Sequence, residues 1–166
     1  LLADALPMTL RVYRSLSSAM VPLSIAVINR RLKLGKEDPA RVGERRGLSA
    51  DIRPNGPLVW IHGASVGEVL AAAALIERLR ALNLRILVTS GTVTSAAIVA
   101  RRFPPGVIHQ FVPYDSPRYV KRFLDHWRPS LALFIESDLW PNLILSSAAR
   151  RLPMVLINGR MSQRSD

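Results

Sequence analysis

From Leu58 onward the chain alternates regularly between short apolar runs and stretches with helical spacing. The runs Leu58 to His62, Arg85 to Thr89, Val107 to Val112, Leu131 to Ile135 and Met154 to Ile157 are four to six residues long. That length, with turn residues at the boundaries, is the signature of strands. Between them, Glu68 to Leu82 places Val69, Leu70, Ala73, Leu75, Ile76, Leu79 and Leu82 at helical spacing. Thr92 to Phe103 is a second helix, stopped by Pro104 and Pro105. Ser116 and Pro117 give an N-cap followed by proline at the first helical position, opening a third helix that runs to about Trp127. Leu139 to Arg151 is the fourth. Strands alternating with helices in this way predict an α/β domain, a parallel sheet with helices on both faces. Ligands of such sheets bind at the carboxyl ends of the strands. Those ends carry Glu68, Asp115, Glu136, Asp138, Arg160 and Arg164. Which strands are neighbours is not written in the linear sequence.

Residues 1–47 read differently from residues 48–166, and the domain boundary is expected there. Leu1 to Leu34 is apolar and helix-prone, but its cleanest apolar run, Ala19 to Ile28, is ten residues, against the roughly 20 a membrane span needs. Arg30, Arg31, Lys33 and Lys36 follow it. A short apolar helix with a basic cluster behind it suits an anchor lying on an anionic membrane surface; a helix packed on the domain is the alternative. Gly35 to Gly47, "GKEDPARVGERRG", reads as a connector. The chain opens on Leu1 without a methionine and stops as a new segment begins, which reads as a fragment.

The whole chain has 23 basic and 12 acidic residues, a net charge of +11. Such a surface selects an anionic partner: nucleic acid, anionic lipid or a phosphorylated substrate. Absence of cysteine excludes disulfides and thiolate chemistry. His62, His109 and His126 are far apart and form no H-x-x-x-H pair, so no metal site is expected.

The stretch Trp60 to Val69, "WIHGASVGEV", fits two patterns. Gly63, Ser65 and Gly67 match the G-x-S-x-G elbow of a hydrolase, with Ser65 as nucleophile. Ser65 and Glu68 match a capping box, in which both side chains tie off the start of a helix. The elbow needs an acid and then a histidine after later strands. His109 instead lies inside a strand and His126 near a helix end, so the cap is the better reading of Ser65. Glu68 can cap and also serve as a general base, with Glu136 as the second carboxylate that would favour that role. G-x-G-x-x-G and G-K-[ST] are both absent, so no nucleotide fingerprint is found. In "ESDLWPN", Asp138 is read as a helix cap, while Glu136 has no evident structural duty. In "INGRMSQRS", Arg160 and Arg164 stand beside hydroxyls, as an anion contact requires.

Taken together, "GERRG", "HGASVGE", "VPYDSP…VKRFLDHWRP", "ESDLWPN" and "INGRMSQRS" resemble the N-terminal half of the 3-deoxy-D-manno-octulosonic acid (Kdo) transferases. The resemblance implies a GT-B glycosyltransferase of two Rossmann-like domains. Residues 48–166 would be the Rossmann-like acceptor domain, and a further domain would bind the donor CMP-Kdo. It implies transfer of Kdo onto a lipid A precursor for lipopolysaccharide, with inversion, at the cytoplasmic face of the inner membrane. Glu68 falls on the family's general base. Glu136, Ser65, Gly67, Arg160 and Arg164 fall in motifs that bind or support the acceptor. No cofactor, metal or nucleic-acid partner is implied. This sequence departs from the family pattern at Gly63, Ser137, Asp138, Gly159 and Met161. A non-catalytic lipid- or nucleic-acid-binding α/β domain is the alternative reading of the residues alone.

Overall fold

The structure, a computed structural model, describes residues 6–135 and 139–157. Five strands, β1 (Leu58–His62), β2 (Arg85–Ser90), β3 (Val107–Phe111), β4 (Leu131–Ile135) and β5 (Met154–Ile157), form one sheet in the order β3-β2-β1-β4-β5. Every pairing is parallel. The chain builds outward from β1 to β3, then crosses back and lays β4 against the other side of β1. The winding therefore reverses between β1 and β4, and that is where an open α/β sheet opens a crevice at its carboxyl edge.

Side-chain alternation along β1 sorts the helices onto two faces. Leu58 and Trp60 pack with Val120, Phe123, Leu124, Trp127 and Leu143, from α6 (Pro117–Trp127) and α7 (Pro141–Ala149). Val59 and Ile61 pack on the other face with Val69, Ala72, Ile76, Val99 and Phe103. These belong to or flank α3 (Val66–Ala71), α4 (Ala73–Ala81) and α5 (Val93–Arg102). Trp60 anchors the first layer: it meets Phe123 and Phe134 edge-on at 5.0 and 5.3 Å, and its indole N–H donates to Thr89 Oγ1 at 2.8 Å.

The helix expected over Glu68–Leu82 is two segments with a tightened turn at Ala72. The Ala72 amide is shared between the Glu68 and Val69 carbonyls at 3.3 and 3.2 Å, and the ladder resumes from Ala72 O to Ile76 N at 2.9 Å. No proline or glycine forces this. Ala72 is buried against the sheet, and its small side chain lets the turn lie there. The fourth helix starts at Pro141 rather than Leu139, because its cap comes from elsewhere. Asp115, at the end of the β3 loop, accepts the Asn142 and Leu143 amides, each at 2.9 Å, while the N-cap residue Trp140 makes no side-chain cap bond. Asp138, read as that cap, lies outside the described residues.

The N-terminal segment is a helical pair, α1 (Met8–Ala19) and α2 (Val21–Lys33), broken at Met20. Pro22 explains the break, since a residue without an N–H fits the first turn of a new helix but not the interior of a continuous one. The pair lies on the α6–α7 face: Tyr13 O–H donates to Asp115 at 2.9 Å, Asn142 Nδ2 donates to Ser17 Oγ at 2.9 Å, and Ile28 is buried. Among the described residues no helix is long and apolar enough to cross a membrane.

Residues 35–47 are knotted into the domain. Glu37 is buried, accepting Arg31 Nε at 2.6 Å and Arg45 Nε at 3.0 Å. Glu44 accepts Arg41 and the Phe111 amide. Gly47 closes the segment at φ 74°, where an added Cβ would stand 2.0 Å from the Tyr119 carbonyl oxygen.

Candidate functional site

Glu68 sits in the first turn of α3, at the carboxyl end of the central strand. Its carboxylate is fixed on both sides: Oε1 accepts Ser65 O–H at 2.7 Å and Oε2 accepts the Ala64 amide at 2.8 Å. Ser65 Oγ in turn accepts the Glu68 amide at 3.3 Å. Each partner thus satisfies the other across the first turn. The Ser65 hydroxyl gives its proton to Glu68 and accepts the Glu68 amide, the reciprocal pattern of a capping box.

The two flanking glycines differ in role. A Cβ on Gly63 would lie 3.1 Å from Glu68 Cβ and 3.2 Å from the Val69 amide nitrogen, so glycine there lets α3 start hard against β1. Around Gly67 the nearest atom to such a Cβ is Ser65 Oγ at 3.9 Å, so this exposed glycine leaves the first turn bare for a ligand. Of the other residues singled out from sequence, Glu136, Arg160 and Arg164 lie outside the described residues. The sheet order does supply what the sequence withheld: β4, whose last residue Ile135 precedes Glu136 in the chain, is the direct neighbour of β1.

Behind this turn stands a charged scaffold. Gly91, just after β2, donates to the Ala64 carbonyl at 3.2 Å. The Gly91 carbonyl accepts Arg45 Nη2 at 2.7 Å. Arg45 also reaches the Val112 carbonyl at 3.3 Å, and its guanidinium lies 4.6 Å from the Phe111 ring centroid. One buried arginine thereby joins the loops after β2 and β3, and through Gly91 the loop that carries Glu68. Sequence reasoning missed Arg45, Glu37 and the capping role of Asp115; the signal available was "GERRG", quoted as a motif but given no duty.

His109 belongs to the same scaffold. Burial, then the Arg41 and Arg45 charges, pull its pKa from 6.5 down to about 3. It is therefore neutral, and because Arg41 Nη2 donates to Nδ1 at 2.9 Å, the ring proton sits on Nε2 and points to Ser90 Oγ at 2.9 Å. An unfolded histidine titrates near 6.5 and the native one near 3. The stability this difference confers is complete above pH 6.5 and is lost as pH falls toward 3, at up to about 1.4 kcal/mol per pH unit. Between about pH 6.5 and 5, above the carboxylate range, the melting temperature should fall with pH in the wild type, and less steeply in His109→Gln. Identical slopes would remove His109 from the pH response.

A cleft opens beside the scaffold, under α2. Its first part, about 260 Å³, is lined by Met20, Leu23, Ser24, Val27, Ser116 and Tyr119 among others. Its second part, about 300 Å³, is lined by Arg31, Glu37, Arg45 and Gly91. Val27, Tyr114, Asp115 and Trp140 border both parts, so the two lie side by side. Burial and the Asp115 carboxylate push the Tyr13 hydroxyl at its wall up to about 12, so it remains a donor. No three His, Asp or Glu side chains come together as a metal ligand set among the described residues.

Residues 40–166 match the family model of the 3-deoxy-D-manno-octulosonic-acid transferases. The chain belongs to the Kdo transferase family. It is 40% identical over 158 residues to the 3-deoxy-D-manno-octulosonic acid transferase of Rickettsia bellii, covering 94% of this chain and 38% of that protein. It is 39% identical over 157 residues to the "Probable 3-deoxy-D-manno-octulosonic acid transferase, mitochondrial" of Arabidopsis thaliana, covering 93% and 35%. With the Haemophilus influenzae 3-deoxy-D-manno-octulosonic acid transferase it shares 38% identity over 130 residues, 75% of this chain and 30% of that one. The chain thus spans between a third and two fifths of the length of these first two relatives.

Proposed function

We propose that this chain is the acceptor-binding, Rossmann-like part of a GT-B Kdo transferase, and that Glu68 is its general base. The observation that carries the reading is the Glu68 carboxylate, held by Ala64 and Ser65 in the turn after the central strand. A carboxylate offers about four lone-pair directions. Two are taken, which fixes the group, and the rest can receive a proton. In the proposed reaction a sugar hydroxyl of a lipid A precursor attacks the anomeric carbon of Kdo. Its proton passes to Glu68, the bond from that carbon to the CMP phosphate oxygen breaks, and CMP leaves with the electron pair as the anomeric configuration inverts. Glu136 would be the second carboxylate of the site, and Arg160 and Arg164 would meet anionic groups of the acceptor.

The outer surface of α1 and α2 supports a place on the cytoplasmic face of the inner membrane. Val12, Leu16, Met20, Leu23 and Ile25 are exposed there, with the exposed Arg30, Lys33 and Lys36 beyond them. Arg31, counted with that cluster from sequence, spends its charge on Glu37. Calorimetry on the chain tests the division of labour. Saturable heat is expected with a detergent-dispersed lipid A precursor and none with CMP; tight CMP binding would move the donor site into this domain.

A further inference from the structure

We infer that the groove between α1, α6 and α7 is a binding site for a phosphoryl group, held by Arg14, Arg118, Lys121 and Arg150. It lies on the face of the sheet opposite α3 and does not rest on the acceptor reading above.

The groove has a volume of about 420 Å³. Arg14 reaches it from α1, Arg118 and Lys121 from α6, and Arg150 from the end of α7. The small Ser146 and Ala149 of α7 leave the space that these four long side chains surround. No carboxylate lines it. Asp125 answers Lys121 at 2.5 Å and Arg150 at 2.6 Å. Arg14 and Arg118 make no ion pair or side-chain hydrogen bond among the described residues. Four cations thus share one carboxylate.

The fold itself gives no reason for the cations to gather there. Arg118 stands in the first turn of α6, where the helix dipole disfavours positive charge. That turn has no acidic residue. Arg118 also meets Lys121 at i+3 and Arg122 at i+4, spacings at which like charges repel. Arg14 adds a half-buried cation from a different helix. An anion bound among them turns this repulsion into attraction. A phosphoryl group has oxygens in several directions and can accept from donors on three helices at once. A carboxylate has two oxygens in one plane and would meet fewer of the four. No aromatic side chain lines the groove, so a nucleic-acid base would have nothing to stack on. A soluble phosphoester and a phospholipid headgroup both carry the group that fits. Val12 and Leu16, exposed on α1 two residues to either side of Arg14, would lie against the chains of the second.

The test is a titration of the complete enzyme with inorganic phosphate, with chloride at equal ionic strength as reference. Arg14→Gln combined with Arg118→Gln leaves the Lys121–Asp125–Arg150 contacts in place and should weaken phosphate binding by at least about ten-fold. Arg101→Gln combined with Arg102→Gln removes the same charge from an exposed pair on α5, on the other face, and should bind phosphate as wild type. In phosphate-free buffer Arg118→Gln alone should melt at or above the wild-type temperature, because it removes only repulsion. Vesicles of phosphatidylcholine with and without phosphatidic acid separate the two sources. Retention that needs phosphatidic acid and is lost only in the Arg14 and Arg118 double variant assigns the lipid headgroup; phosphate binding without such retention assigns a soluble phosphoester. Wild-type enzyme that takes phosphate no better than chloride, equal loss in both double variants, or undiminished binding by the Arg14 and Arg118 double variant would each overturn the site. A lower melting temperature for Arg118→Gln would show that this cation serves the fold, which overturns it as well.

Discussion

Glu68→Gln should lower Kdo transfer by the complete enzyme by about 10²–10⁴-fold, the usual cost of losing a general base, while the fold survives. The geometry explains how the two effects separate. The amide oxygen of glutamine can take the place of Oε2 and accept the Ala64 N–H, now at 2.8 Å. The amide nitrogen then faces Ser65 Oγ, which today donates to Glu68 at 2.7 Å. That hydroxyl is exposed and can rotate, accepting from the amide and donating to water. Capping is therefore kept and proton acceptance at neutral pH is lost. Ser65→Ala makes the opposite change, removing a cap worth about 1 kcal/mol and one of the two bonds that orient Glu68, while the base remains. Its melting temperature should fall further than that of Glu68→Gln, and its activity much less. Transfer rates to a lipid A precursor, measured beside melting curves, decide the matter. A Gln variant turning over at the wild-type rate would reduce Glu68 to a cap, and an inactive but folded Ser65→Ala would return the nucleophile reading.

The elements themselves were legible because each carries a local signal. A continuous apolar run marks β1, buried on both faces, proline marks the end of α5 and the start of α6, and the S-x-x-E pair marks α3. Sheet order was not legible, because nothing in Leu131 to Ile135 says that it pairs with Leu58 to His62; that pairing is decided by which helices cover which face. Long-range polar partners were hidden for the same reason. Asp115 caps a helix that begins 26 residues later, and the Arg45 guanidinium bonds carbonyls at Gly91 and Val112. In sequence these are ordinary charges in loops. The segment "GKEDPARVGERRG" reads as a connector, yet its Glu37 and Arg45 are buried and form part of the scaffold behind the Glu68 turn.

Glu37→Gln should cost about 3–5 kcal/mol of stability, the usual penalty for removing one partner of a buried ion pair. Glu37 and Arg45 are 4% and 3% exposed, and an arginine cannot shed its proton to escape burial. The glutamine keeps the shape and one acceptor but leaves the Arg45 charge without a counter-charge. Arg31, the other partner, is partly exposed and can turn toward water. Arg45 cannot follow it, because its nitrogens also hold the Gly91 and Val112 carbonyls and its plane lies over Phe111. Against a total of about 5–15 kcal/mol for a domain, the loss should appear as a fall of roughly 10 °C in melting temperature. Glu77→Gln, which removes an exposed carboxylate from α4, should stay within about 0.5 kcal/mol of wild type. Urea unfolding of the two variants reads the difference directly. If Glu37→Gln unfolds within 1 kcal/mol of wild type, the buried charges are not what holds the loops after β2 and β3. If the cost is as large as expected, transfer should suffer even where the variant is still folded, because the Gly91–Ala64 contact that steadies Glu68 is anchored to the same arginine.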